Sequence, residues 1–298
     1  MKNKLMAILF CFAFLKATIG LAQYEKLDQT YYFIQTKDGN EYMGTILSED
    51  GEKLVLLTEN LGEITLFLKD IVKRTEIKSG QMINGKYWFE NPQASRYFWS
   101  PNGYGLKKGE WYYQNVWIFF NQVSTGVTNN FSIGAGIVPL FLFSGASTPV
   151  WITPKLSLPV IEDKLNLGAG GLLGAVIGEQ NSGFGILYGL STFGSKDRNM
   201  TLGLGWGYVS GEIANRPTIT LSGMVRTGAR GYFLTENYYI HSGDFTLGLI
   251  SAGGRRIIKN VGLDFGLAIP LASDMDTFIA IPWLGFTVPF GDFESYVE

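Results

Sequence analysis

The chain has 298 residues, 24 Lys+Arg against 26 Asp+Glu, and a formal net charge of −2. A balance this close to neutral gives no electrostatic case for a nucleic-acid partner. Charged residues make up 17%, below the ~25% usual in soluble domains. With 38 glycines and 14% aromatics, that composition suits a β-wall in a membrane better than a water-soluble globule.

The N-terminus predicts an export signal. Lys2 and Lys4 precede Leu5 to Leu15, an apolar core of signal-sequence length that is too short for a spanning helix. Gly20-Leu21-Ala22 offers the small residues a signal peptidase reads, so cleavage is expected after Ala22 and residues 1–22 form the signal peptide. Lys16 interrupts the apolar run, which argues against a retained anchor helix. Cys11, the single cysteine, lies mid-core behind Phe10, not in a lipoprotein setting. The mature chain is therefore expected to lack disulfides and cysteine metal sites. No later segment reaches the ~20 uninterrupted apolar residues of a spanning helix, so entry into a membrane requires a closed barrel.

Residues 24–80 carry frequent charges and short alternating strands between turn signals: Tyr31 to Thr36, Asp38-Gly39, Glu41 to Ser48, Asp50-Gly51, Lys53 to Thr58, Asn60-Leu61-Gly62 and Glu63 to Leu68. Asp38, Gly39, Gly44, Ile46, Leu54, Leu56, Thr58, Gly62, Ile64 and Leu66 give this stretch a pattern that resembles small SH3-like or Sm-like barrels. The RNA-contact motifs of Sm proteins are not visible. The resemblance implies the shape of a small β domain; water-facing and expected in the periplasm, it either contacts a protein partner or serves as a spacer. Residues 81–110 read as an aromatic-rich linker, with Tyr87, Trp88, Phe89, Tyr97, Phe98, Trp99 and Tyr104 between turn signals such as Ser100-Pro101-Asn102-Gly103. Three roles suit such rings: anchoring at the membrane–water boundary, packing of the linker against the barrel, or a ligand cage.

From residue 111 to 293 the sequence repeats one pattern. In Met200 to Val209, MTLGLGWGYV, large apolar residues alternate with Thr201, Gly203, Gly205 and Gly207, a period of two with nothing to offer water. Similar segments are expected at 111–127 (bent near Ser124), 131–141, 150–161, 165–177, 183–193, 217–227, 231–241, 245–257, 261–271 and 278–290. These segments number about eleven. Bacterial single-chain barrels have an even number of strands, so ten or twelve are expected, with twelve preferred and the extra strand sought in the first segment or near Tyr97. Charges fall in the turns between segments, at strand ends.

The alternation places Thr153, Lys155, Ser157, Thr220, Ser222, Arg226 and Asp264 on the inner face. Lys155, Arg226 and Asp264 are the candidate lumen charges, because an Arg or Lys in mid-bilayer costs about 2–4 kcal/mol. They are expected to pair, closing the barrel or lining a ligand site. Glu236 shares parity with Leu234, Tyr238 and Ile240, which suggests a bulge or a strand end. His241, the one histidine, is followed by Ser242 and Asp244, the residue types of a hydrolase, but neighbours along a strand point to opposite faces. Gly168-Ala169-Gly170-Gly171 lacks the third glycine of a dinucleotide loop, since position 173 is Leu173. No catalytic residue, metal or cofactor is therefore assigned.

The signal peptide, the repeated two-faced strands and the polar turns together resemble Gram-negative outer-membrane β-barrel proteins. The chain ends Tyr296-Val297-Glu298, without the terminal aromatic of barrel-insertion signals, a role left to Phe290 or Phe293. The resemblance implies an all-β chain in the cell outer membrane, with outer-membrane lipid and the barrel-insertion machinery as partners. The expected activity is structural or interaction-based. A small solute pore and a lipid-acting barrel enzyme are the alternatives.

Overall fold

The structure is a computed structural model and describes residues 30–77, 82–83, 86–242, 245–258, 261–272 and 279–291. The expected signal peptide at 1–22, with Cys11, as well as Asp244, Phe293 and the chain's last residues, lie outside the described residues. The chain divides into two units, Met1–Phe89 and Glu90–Glu298.

The first unit is a five-stranded antiparallel sheet of β1 (Tyr31–Thr36), β2 (Glu41–Glu49), β3 (Lys53–Thr58), β4 (Gly62–Phe67) and β5 (Ile71–Ile77), in the order β4-β3-β2-β1-β5. Alternation along β1, β3 and β4 puts Ile34, Leu54, Leu56 and Leu66 into one buried cluster. Gly39, at φ 82°, makes the first turn. Asp50 makes the second by accepting the backbone N–H groups of Glu52 (2.8 Å) and Lys53 (2.6 Å), which holds its carboxyl below the ordinary carboxylate range. The edge strands β4 and β5 do not pair with each other among the described residues. The observed element is thus an open sheet, and SH3-like closure is not seen. A short ladder of β6 (Met82–Ile83) and β7 (Lys86–Tyr87) follows.

The second unit is a closed antiparallel barrel. Its wall runs through β8 (Glu110–Val116), β9 (Phe120–Gly126), β10 (Phe131–Ile137), β11 (Thr148–Ile152), β12 (Lys155–Ile161), β13 (Leu165–Ile177), β14 (Phe184–Gly194), β15 (Arg198–Val209), β17 (Thr218–Gly228), β18 (Gly231–Ser242), β19 (Phe245–Ile258), β20 (Val261–Ala272) and β21 (Ile281–Gly291). The two-residue β16 (Glu212–Ile213) folds back on β15. β11 and β12 each pair with both β10 and β13, so they are halves of one stave interrupted at Thr153-Pro154, where proline has no N–H to donate. Counted so, twelve staves form the wall. β21 pairs with β8 and leaves no edge.

The wall's polarity is the reverse of a soluble sandwich. Leu202, Leu204, Trp206, Leu263, Phe265 and Leu267 are exposed on the outside, whereas Thr201, Ser222, Glu236, Arg255, Asp264 and Thr287 are buried inside. A continuous outer band of large apolar side chains is what a bilayer solvates and water does not. In β15 the burial alternates residue by residue, with Thr201, Gly203 and Gly205 inward.

Three local expectations are corrected. The segment 111–127 is two strands, β8 and β9, joined by 117–119, and this supplies the twelfth stave. The turn carries no Gly, Pro or Asn-Gly signal. Instead Trp117 and Ile118 take φ 51° and 68°, held by Asn115 and Asn121 side chains bonded to the Ile118 backbone. The segment 131–141 ends as a strand at Ile137. Pro139 at the first turn and Gly145 in the left-handed C-cap convert 139–144 into a short helix, α1 (Pro139–Ser144). Glu236 marks neither a bulge nor a strand end: Tyr232, Leu234 and Glu236 are all buried on the inner face of β18, while Phe233 and Tyr239 point out.

The two ends of the barrel differ. The near end holds Glu110, Gly291 and the connections 127–130, 162–164, 195–197 and 229–230. The far end holds the longer connections 138–147, 178–183 and 210–217.

Candidate functional site

Residues 90–109, read from sequence as part of a linker, enter the barrel from the near end as a hairpin. Arg96 bridges Pro101, and the Tyr97 N–H donates to the Ser100 carbonyl at 3.0 Å. Two asparagines shape the arms. Asn91 Oδ1 accepts from Gln93 N at 3.0 Å, and Asn102 donates to the Ala94 carbonyl (2.6 Å) and accepts from Tyr104 N (2.9 Å). Such side-chain acceptors satisfy backbone groups that no ladder reaches.

The hairpin's partners surround it. Asn91 reaches the Lys196 carbonyl in the near-end turn (2.9 Å), and Tyr104 Oη donates to the Gly194 carbonyl at 2.6 Å. Gly103 N donates to Thr192 Oγ1 of β14 (2.7 Å), and Tyr97 Oη contacts Asn199 and Thr201 of β15 at 2.6 and 2.7 Å. Ser100 meets Ser222 of β17, Gln93 donates to the Thr287 carbonyl of β21, and Gln114 of β8 donates to the Phe98 carbonyl. A segment bonded to strands on all sides of the wall lies in the lumen. Gly103 shows how tightly it fits: a Cβ there would stand 2.6 Å from the Asn166 carbonyl oxygen.

Most of the inward charges bond to this hairpin. Asp264 of β20 takes a two-point ion pair from Arg255 of β19, at 2.6 and 3.0 Å, and a third bond at 3.0 Å from Arg96 of the hairpin. Arg255 also donates to the Gln93 and Tyr97 carbonyls, and Arg96 to those of Tyr97 and Phe98 and to the Thr287 hydroxyl. Two cations around one carboxylate are tolerable in a buried site because carbonyl and hydroxyl oxygens take most of the remaining donors. Glu236 accepts the N–H groups of Trp99 (2.9 Å) and Ser100 (3.0 Å) at the hairpin tip, and the Tyr238 hydroxyl at 2.7 Å. Lys155 of β12 donates to the Ser95 and Tyr104 carbonyls, at 3.2 and 2.5 Å. Arg226 pairs with Asp197 at 2.9 Å.

Lys155, Arg226 and Asp264 thus all face inward, but they do not pair with one another. Sequence reading missed Arg96, Arg255 and Glu236 as members of the site. Arg255 had a partial signal: it shares parity with Ser251 and Gly253, but the adjacent Arg256 puts a charge on the opposite face as well. Arg96 had none, since a linker residue has no face. His241 contacts Thr246 through Nδ1 at 2.8 Å.

The hairpin tip carries an aromatic cluster. Phe98 packs on Trp283, and Trp99 on Phe120 and Trp151, with ring centroids 5.4, 5.9 and 6.1 Å apart. Beside the tip the lumen keeps a cavity of about 250 Å³.

No family model and no curated protein matches the chain. Among solved structures it is similar to the KdgM porin (TM-score 0.44, 10% identity, over 61% of this chain and 98% of that one). It is also similar to the CymD monoaromatic hydrocarbon channel (TM-score 0.38, 9% identity, 89% of each chain) and to outer-membrane expressed OmpT of Vibrio cholerae (TM-score 0.33, 10% identity, 90% of this chain and 100% of that one).

Proposed function

We propose that this is an outer-membrane β-barrel protein whose lumen is filled by its own hairpin, so that it acts as a non-conducting membrane platform. The observation that carries this reading is the hairpin itself. Arg96, Tyr97 and Phe98 are buried inside the barrel, and the carbonyls of Tyr97 and Phe98 are taken up by Arg255, Gln114 and Arg96. An open pore has inward side chains facing water; here they face the chain's own backbone. Short turns at the near end and longer connections at the far end support a near end in the periplasm. Residues 24–80 would then be the part that meets a periplasmic protein, with outer-membrane lipid around the wall.

The test is electrical. Purified protein, shown to be folded by a heat-dependent shift in detergent gels, is inserted into planar bilayers. The wild-type chain should pass no steady unitary current. Steady conductance from the wild-type protein would replace this reading with that of a solute pore.

A further inference from the structure

We propose that the cavity beside the hairpin tip is a binding site for a small carboxylate with an aromatic or aliphatic body. The cavity is bounded by Arg96 and Lys155 and by the rings of Trp99, Tyr112, Tyr188 and Tyr238, and its lining contains no Asp or Glu. Asp264 satisfies part of the Arg96 guanidinium from one side, but the buried Nε has no acceptor among the described residues. Lys155 spends two of its three donors on carbonyls, and no carboxylate ion-pairs with it among the described residues. Lys155 is thus a buried cation without an ion-pair partner among the described residues, beside an Arg96 Nε–H without an acceptor; burying such groups is costly unless they are paired and hydrogen-bonded, and a carboxylate entering the cavity supplies the missing partner.

The rest of the lining restricts the body attached to that anion. Aromatic faces and small side chains enclose about 250 Å³, somewhat under the usual range for drug-sized ligands, so the ligand is small and carries one charge. The Arg96 guanidinium lies 5.9 Å from the Tyr112 ring centroid, which holds the cation where a ring and a carboxylate can share it.

The experiment is calorimetric titration of the full-length protein in detergent with phenylacetate and hexanoate, each against its neutral amide. Wild type should bind the carboxylates saturably and at least about tenfold tighter than the amides, a difference of ~1.4 kcal/mol. Thr220→Phe adds a ring to the cavity from the inner face of β17, keeps both cations in the chain, and should abolish binding. Lys155→Met should bring acid and amide close to parity. Should Lys155→Met fail to give a heat-modifiable barrel, the acid–amide comparison and Thr220→Phe decide alone. Equal binding of acid and amide, unchanged binding in Thr220→Phe, or no saturable binding of either carboxylate overturns the proposal.

Discussion

Arg255 and Asp264 stand directly opposite each other on β19 and β20, and both turn inward to form a two-point ion pair at 2.6 and 3.0 Å. The hairpin's Arg96 joins the same carboxylate at 3.0 Å. One wall position thus fixes both the pairing of two staves and the depth of the hairpin.

Asp264→Ala should therefore act on both. It leaves two buried guanidiniums around no carboxylate, and breaking a buried pair from one side costs about 3–5 kcal/mol. We expect a lower temperature for the heat-dependent gel shift and new trypsin cleavage at Arg96. Unchanged melting together with continued protection of Arg96 would contradict this account.

Glu236→Gln should loosen the hairpin tip while leaving the wall intact. The carboxylate accepts two backbone N–H groups, Trp99 and Ser100, and hydrogen bonds to a charged acceptor are each worth about 1.5–3 kcal/mol. Amide exchange at residues 99 and 100 should speed up by about tenfold or more, a change of ~1.4 kcal/mol per decade, with the amides of β19 and β20 unaffected.

Ile118→Gly should stabilise the barrel. Ile118 is β-branched, exposed, and held at φ 68°, a conformation that costs an L-residue roughly 1–2 kcal/mol. Glycine adopts it freely and offsets part of that gain with unfolded-state entropy. A rise of the thermal midpoint is expected; a fall would mean that the Ile118 side chain contributes contacts outweighing the strain.

The N-terminal sheet should carry a pH signature. Asp50 is held below its ordinary pKa by the backbone N–H groups of Glu52 and Lys53. A depressed folded-state pKa means stability that is present above the unfolded value of about 3.9 and lost as pH falls through the lowered one. Asp50→Ala should thus lower the melting temperature of this unit at neutral pH, and the difference from wild type should vanish in strong acid. A difference that persists there would point to a packing effect.

The sequence alone determined the wall. A period of two with a large apolar face and a small or polar one fixes which side of each strand meets lipid, and Met200 to Trp206 carries that pattern unbroken. It placed Lys155, Arg226 and Asp264 inside for the same reason: a charge is cheaper in the lumen than in hydrocarbon. Only the tertiary structure decided what those charges do. Residues 90–109 have no periodicity, because their partners lie on strands as far away in sequence as Thr287. A hairpin that borrows its hydrogen bonds from the wall has no pattern of its own to read. The Trp117–Ile118 turn was hidden for a different reason: its left-handed backbone is held by local side chains, Asn115 and Asn121, in place of the glycine that usually announces such a turn.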